Sequence, residues 1–171
     1  MKRNIFLFLV VLVSFILQTT LFQALSFGGI APNLLIIITA SYGFMYDKKY
    51  GMVVGFICGL LMDIFYGEVI GFYALVYLYI GVANGFFHSV FYHEDVKLPL
   101  ALITASDFIY CVLCYALLFL LRGRFDFIFY LKNVIVPEIV YTIFITVFLY
   151  PCILYVNKRI DDSERGDHKL V

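Results

Sequence analysis

The sequence predicts an all-α integral membrane domain of six transmembrane helices, with both termini on the cytoplasmic side. Three observations carry that expectation. The 171 residues are 64% hydrophobic and only 14% charged, with a mean hydropathy of +0.99; soluble domains run nearer roughly 45–50% apolar and about 25% charged. The apolar stretches recur at lengths that suit spanning helices, which need about 20 residues. The basic residues are also unevenly placed. With the N-terminus inside, the inner side holds Lys2, Arg3, Lys48, Lys49, Lys97, Lys158, Arg159, Arg165 and Lys169, and the outer side holds Arg122, Arg124 and Lys132. That excess on one side is the positive-inside arrangement, and it calls for an even number of spans.

The first span runs from about Asn4 to Leu25. Lys2-Arg3 followed by apolar Ile5–Leu17 has the outline of a signal peptide. The apolar stretch is long, however, and Ala24-x-Ser26 is a poor cleavage site, so an uncleaved span is expected. Gln18, Thr19 and Thr20 lie in its outer part, where polar side chains can hydrogen-bond between helices. The second span covers about Ile30–Tyr46 and the third about Lys49–Tyr66, with only Asp47-Lys48-Lys49 between them. Both are short, and they form either two full spans or a re-entrant pair. The fourth span covers about Val69–Phe91, the fifth Leu98–Leu121 and the sixth Val134–Val156. Residues 1–160 thus make a single polytopic domain, and 161–171 a short, charged, disordered cytoplasmic tail. The outer loop RGRFDFIFYLKN, residues 122–133, is either a segment lying in the interface or an aromatic belt with snorkelling cations.

One motif stands out. Gly51, Gly55, Gly59, Asp63, Gly67 and Gly71 follow each other at intervals of four. On a helix, residues four apart share a face. In a membrane, small residues at this spacing let another helix approach closely. The spacing recurs at Gly81-x-x-x-Gly85. Gly51, Gly55, Gly59, Asp63, Gly81 and Gly85 are therefore expected to form a helix-packing face that receives a partner. Gly67 and Gly71 fall at the outer turn around Glu68, where they permit a tight reversal. A carboxylate inside a membrane needs a partner or a purpose. Asp63 ends the glycine face, Asp107 lies in the fifth span toward the inner side, and Glu138 follows Pro137 near the outer start of the sixth. Asp63, Glu138, Arg122, Arg124 and Lys132 are the candidate outer polar cluster.

Other chemistry finds little support. Cys58, Cys111, Cys114 and Cys152 all lie in apolar segments and are expected to be reduced and buried. Cys111-x-x-Cys114 has a redox spacing without the soluble strand-to-helix context that gives it meaning. His88, His93, Glu94 and Asp95 suit a solvated cytoplasmic turn better than a metal site. There is no phosphate-binding loop and no nucleophile–base pair. No catalytic, cofactor or metal site and no nucleic-acid partner are expected.

Taken in order, Gln18, Pro32-Asn33-Leu34, the glycine ladder with its aspartate, Gly81, Pro137 and Pro151 resemble the MreD family of rod shape-determining membrane proteins. The resemblance covers about residues 4–160, and the ladder is its most specific part. It implies a non-enzymatic, multi-pass scaffold in the bacterial cell membrane that helps position lateral peptidoglycan synthesis and maintains cell shape. The implied direct partner is MreC, with MreB, RodA and a class B penicillin-binding protein in the wider complex and lipid around it. The family fold is similar to the six-helix substrate-binding subunits of energy-coupling-factor transporters. A vitamin-binding subunit of that kind is the alternative function. A third possibility has Arg122, Arg124 and Lys132 meeting the pyrophosphate of a polyprenyl-linked precursor. Glu138 and the aromatic outer loop depart from the family pattern.

Overall fold

The computed structural model describes residues 2–26, 29–67, 70–90, 97–119 and 127–167. The order is α1 (Lys2–Thr19), α2 (Leu21–Ala24), α3 (Leu34–Met45), α4 (Lys48–Tyr66), α5 (Phe72–Gly85), α6 (Lys97–Cys114), α7 (Phe127–Tyr130) and α8 (Val136–Asp167). A 3₁₀ turn at Phe86–Val90 extends α5. Wide π turns extend α6 over Tyr115–Phe119 and join α7 to α8 over Leu131–Ile135. Among the described residues, four helical stretches are long and apolar enough to cross a membrane: Ile5–Ala24, Lys48–Tyr66, Lys97–Leu117 and Phe127–Arg159. This is an all-α, multi-pass membrane protein.

The twelve-residue α3 is the axis of the fold. Every residue from Leu34 to Phe44 is buried, and the helix touches α1, α4, α5, α6 and α8. A helix that is apolar all round belongs inside a core. At about 1.5 Å per residue it is too short to cross the roughly 30 Å apolar layer alone. The outer helices show the opposite pattern. Phe8, Leu9 and Ile16 on α1 and Val140, Phe144 and Phe148 on α8 are exposed, as side chains facing lipid would be.

The boundaries differ from the sequence expectation at three places. The helix of the expected second span, α3, starts at Leu34, with Asn33 as its cap, instead of at Ile30. The last helix does not stop at Val156; it continues through Asp167, across the start of the expected disordered tail. Its beginning moves as well. Phe127–Asn133, placed in an outer loop by the sequence, is helical and continuous with α8. A π turn absorbs one extra residue per turn, and here it immediately precedes Pro137, whose ring cannot fit a regular helix interior.

Candidate functional site

The ladder residues Gly51, Gly55 and Gly59 lie on the buried face of α4 together with Val54, Cys58 and Asp63. What they face is the backbone of α5. A Cβ on Gly51 would collide with the carbonyl oxygen of Gly81, one on Gly55 with that of Tyr77, and one on Gly59 with that of Tyr73. From the other side, a Cβ on Gly85 would collide with the backbone of Lys48. These pairs run in opposite directions along the two helices, so α4 and α5 form an antiparallel hairpin sealed backbone to backbone. Gly43 of α3 completes the seam, since a Cβ there would stand 2.7 Å from the Gly81 oxygen. The face assigned to a partner by the sequence is therefore filled from within the same chain, and no groove is left there for another protein's helix.

Asp63 closes the top of this hairpin. Its Oδ2 accepts from the backbone N–H of Gly71 (2.9 Å) and of Ala74 (2.9 Å), and its Oδ1 from that of Tyr73 (2.8 Å). The first N–H groups of a helix have no partner within the helix. In lipid, no water can serve instead. A carboxylate there also meets the positive end of the helix dipole. Gly67 N–H bonds the Asp63 carbonyl at 3.0 Å, and Gly71 adopts φ +102°. That conformation is open to glycine at little cost, which explains the last two rungs. Both carboxylate oxygens of Asp63 are thus engaged, and the side chain is 1% exposed.

The start of α3 is held in a similar way, by three other helices. Leu35 N–H donates to Gln18 Oε1 of α1 at 3.1 Å. Asn33 N–H donates to Thr142 Oγ1 of α8 at 3.2 Å. Asn33 Oδ1 accepts from Ile36 N–H at 3.3 Å and from the Tyr77 hydroxyl of α5 at 2.9 Å. At the other end, His88 Nδ1 donates to the Phe44 carbonyl at 2.9 Å, and the Tyr42 hydroxyl donates to Asn157 Oδ1 at 3.0 Å. His88 is a helix cap here; the His93, Glu94 and Asp95 of the same sequence cluster lie outside the described residues.

The residues joined in these two knots, Gln18, Asn33 and the ladder with its aspartate, are the ones that carry the family resemblance. The model of the rod shape-determining protein MreD family matches residues 2–159, nearly the whole chain. The chain belongs to the MreD family. It is thus a rod shape-determining membrane protein, of a family known for a structural role and not for an enzymatic one. No curated protein and no solved structure matched the chain. In this member of the family, the signature residues serve internal packing and helix capping.

Of the expected outer polar cluster, Asp63, Lys132 and Glu138 are among the described residues, Lys132 in the π turn that leads into α8. Arg122 and Arg124 lie outside them. Asp63 is consumed by backbone donors. Glu138 lies in the first turn of α8, but helical residues precede it from Phe127 onward, so it stands about a third of the way along the Phe127–Arg159 stretch. There it meets Asp107 and Cys111, with one potential ligand atom from each lying within 4.8 Å of the others. Sequence reasoning missed this group. One signal was available, since Asp107 and Cys111 are four apart and share the buried face of α6 with Ile103, Tyr110 and Cys114. The third member was hidden by the extended start of the last helix. Cys152 also departs from expectation: it is exposed, while Cys58, Cys111 and Cys114 are buried.

Proposed function

We propose that this chain is a rigid, non-catalytic scaffold of the bacterial cell-elongation complex, seated in the cytoplasmic membrane and binding MreC directly. In this reading an even number of passes keeps both termini inside, and MreB, RodA and a class B penicillin-binding protein act around it. The observation that carries the proposal is the family match over residues 2–159. The geometry supports a scaffold because buried polar groups fix helices: Asp63 fixes α5, and Gln18, Asn33 and Thr142 fix α3. A partner's helix would meet the outside of the bundle. Among the described residues, outward hollows lie on two sides of the bundle. One, of about 280 Å³, lies between α1 and α4 beside Leu7, Val53 and Ile57. The other, of about 600 Å³, lies between α6 and α8 beside Ala101, Ala105 and Ile143.

The test is depletion of the protein in its own host, with rescue by a tagged copy. The proposal expects rods to round up on depletion, rescue to restore them, and MreC to co-purify with the tagged copy. Photocrosslinkers at Val53 and Ala105 would then report which hollow meets MreC. Cells that stay rod-shaped, with no MreC recovered, would overturn the proposal.

A further inference from the structure

The group formed by Asp107, Cys111 and Glu138 has no part in the scaffold described above. Asp107 and Cys111 stand one turn apart on α6, and Glu138 reaches them from α8. Three donors of two kinds, two carboxylates and a thiol, are gathered within 4.8 Å of one another. A second observation concerns Asp107 alone. It is 0% exposed, and neither of its carboxylate oxygens has a hydrogen-bond partner among the described residues. The Thr142 hydroxyl approaches it without completing a bond of good geometry. Along the surrounding helices, residues 34–45, 72–85, 98–119 and 133–157 contain no Lys, Arg or His; the basic residues of these elements, Lys97, Lys132, Lys158 and Arg159, stand beyond the ends of those stretches. An acid held inside a membrane without a counter-charge is costly, and two acids side by side are more so.

We propose that Asp107, Cys111 and Glu138 bind one divalent transition-metal ion of the zinc class, which ties α6 to α8. The donor set decides the class of ion. Magnesium and calcium take oxygen donors, whereas a thiolate beside carboxylates suits zinc and its chemical relatives. The geometry is close to what such an ion needs. Donors bonded at about 2.0–2.3 Å around a tetrahedral ion stand roughly 3.3–3.8 Å apart. The present spread therefore requires a closing movement on the order of 1 Å, within reach of rotamer adjustment. Three protein ligands leave the fourth position to water. Binding releases the proton of Cys111, and those of the carboxyls where they are held, to solvent. Thr142 would orient Asp107 from outside the ligand set. Because the Thr142 hydroxyl also accepts the Asn33 N–H, the ion would reinforce the cap of α3.

The site can be tested without any assay of cell shape. The full-length protein, purified in detergent and stripped with chelator, is titrated with cobalt(II), and zinc is measured by elemental analysis after reloading. The proposal expects one ion per chain and a thiolate-to-cobalt charge-transfer band. Cys111→Ser should lose the band, and Asp107→Asn and Glu138→Gln should each bind cobalt at least about 10-fold more weakly. Cys114→Ser and Cys152→Ser should behave as the parent. Size-exclusion profiles identify any variant that fails to fold; with one ligand variant lost, the remaining two still decide. A parent chain that binds no ion would mean that the two acids merely share a proton, and this overturns the proposal. So would an ion that persists in Cys111→Ser, or one that is lost in Cys152→Ser.

Discussion

Asp63 and Asn33 perform the same task at two helix starts: each supplies oxygen to N–H groups that lipid cannot satisfy. Asp63 accepts three backbone bonds, each made to a charged group, and such bonds contribute about 1.5–3 kcal/mol apiece. Asp63→Ala leaves those donors buried and unpaired. It should destabilise the chain by roughly 3 kcal/mol or more, lowering the melting temperature in detergent by on the order of 10 °C. Asp63→Asn, which keeps one acceptor oxygen, should fall between the two, and a thermal-shift series on the three proteins checks the order. Asn33→Ala removes the acceptor for Ile36 N–H and for the Tyr77 hydroxyl. Its cost should be about 1–2 kcal/mol, from a lost helix cap and one interhelical bond. At this scale the sequence was informative about which residues matter and less so about their partners. Asp63 was legible as a residue with a purpose, because a membrane carboxylate always needs one. Its partners are backbone groups, which no side-chain pattern announces.

At the scale of elements, the α4–α5 hairpin is the most specific structure in the molecule. Its seam has carbonyl oxygens where side chains would normally stand. Even one methyl group must therefore push backbone aside, and overpacking a tight contact costs typically about 1–3 kcal/mol or more. Gly55→Ala should lower the melting temperature measurably, and Gly55→Leu should prevent stable accumulation of the chain in membranes, as seen by immunoblot. Gly71→Ala acts differently. A Cβ there meets nothing within 4 Å, but φ +102° disfavours it. A cost of about 1 kcal/mol is expected, from backbone strain alone. The glycine face itself was visible in the sequence; its occupant was not inferred, although two signals existed. Gly81-x-x-x-Gly85 carries the matching spacing, and a short glycine turn between helices makes them antiparallel neighbours. The central position of α3 was harder to see. A run of apolar residues looks alike whether it spans a membrane or fills a core, and only the burial of every residue from Leu34 to Phe44 separates the two.

For the whole molecule, the polar groups divide into those that fix helices and those left over. The first set explains a bundle with its signature glycines turned inward and apolar side chains turned outward. A protein built this way offers partners its outer surface, so loss of MreC binding can arise either from a changed surface or from a collapsed interior. The position of Glu138 along the last helix shows why its meeting with Asp107 and Cys111 escaped the sequence. The π turn and Phe127–Asn133 lengthen the last helix at its start, and residues read as an outer loop carry the acid inward to Asp107. The glycine ladder holds the chain together and is not a docking face. The most direct measurement compares Gly55→Leu and Gly59→Leu with the parent, scoring the chain's own accumulation and melting separately from its recovery of MreC. The prediction is that the chain's stability falls first and MreC recovery falls only with it. A stable, well-folded variant that has lost MreC alone would contradict the account.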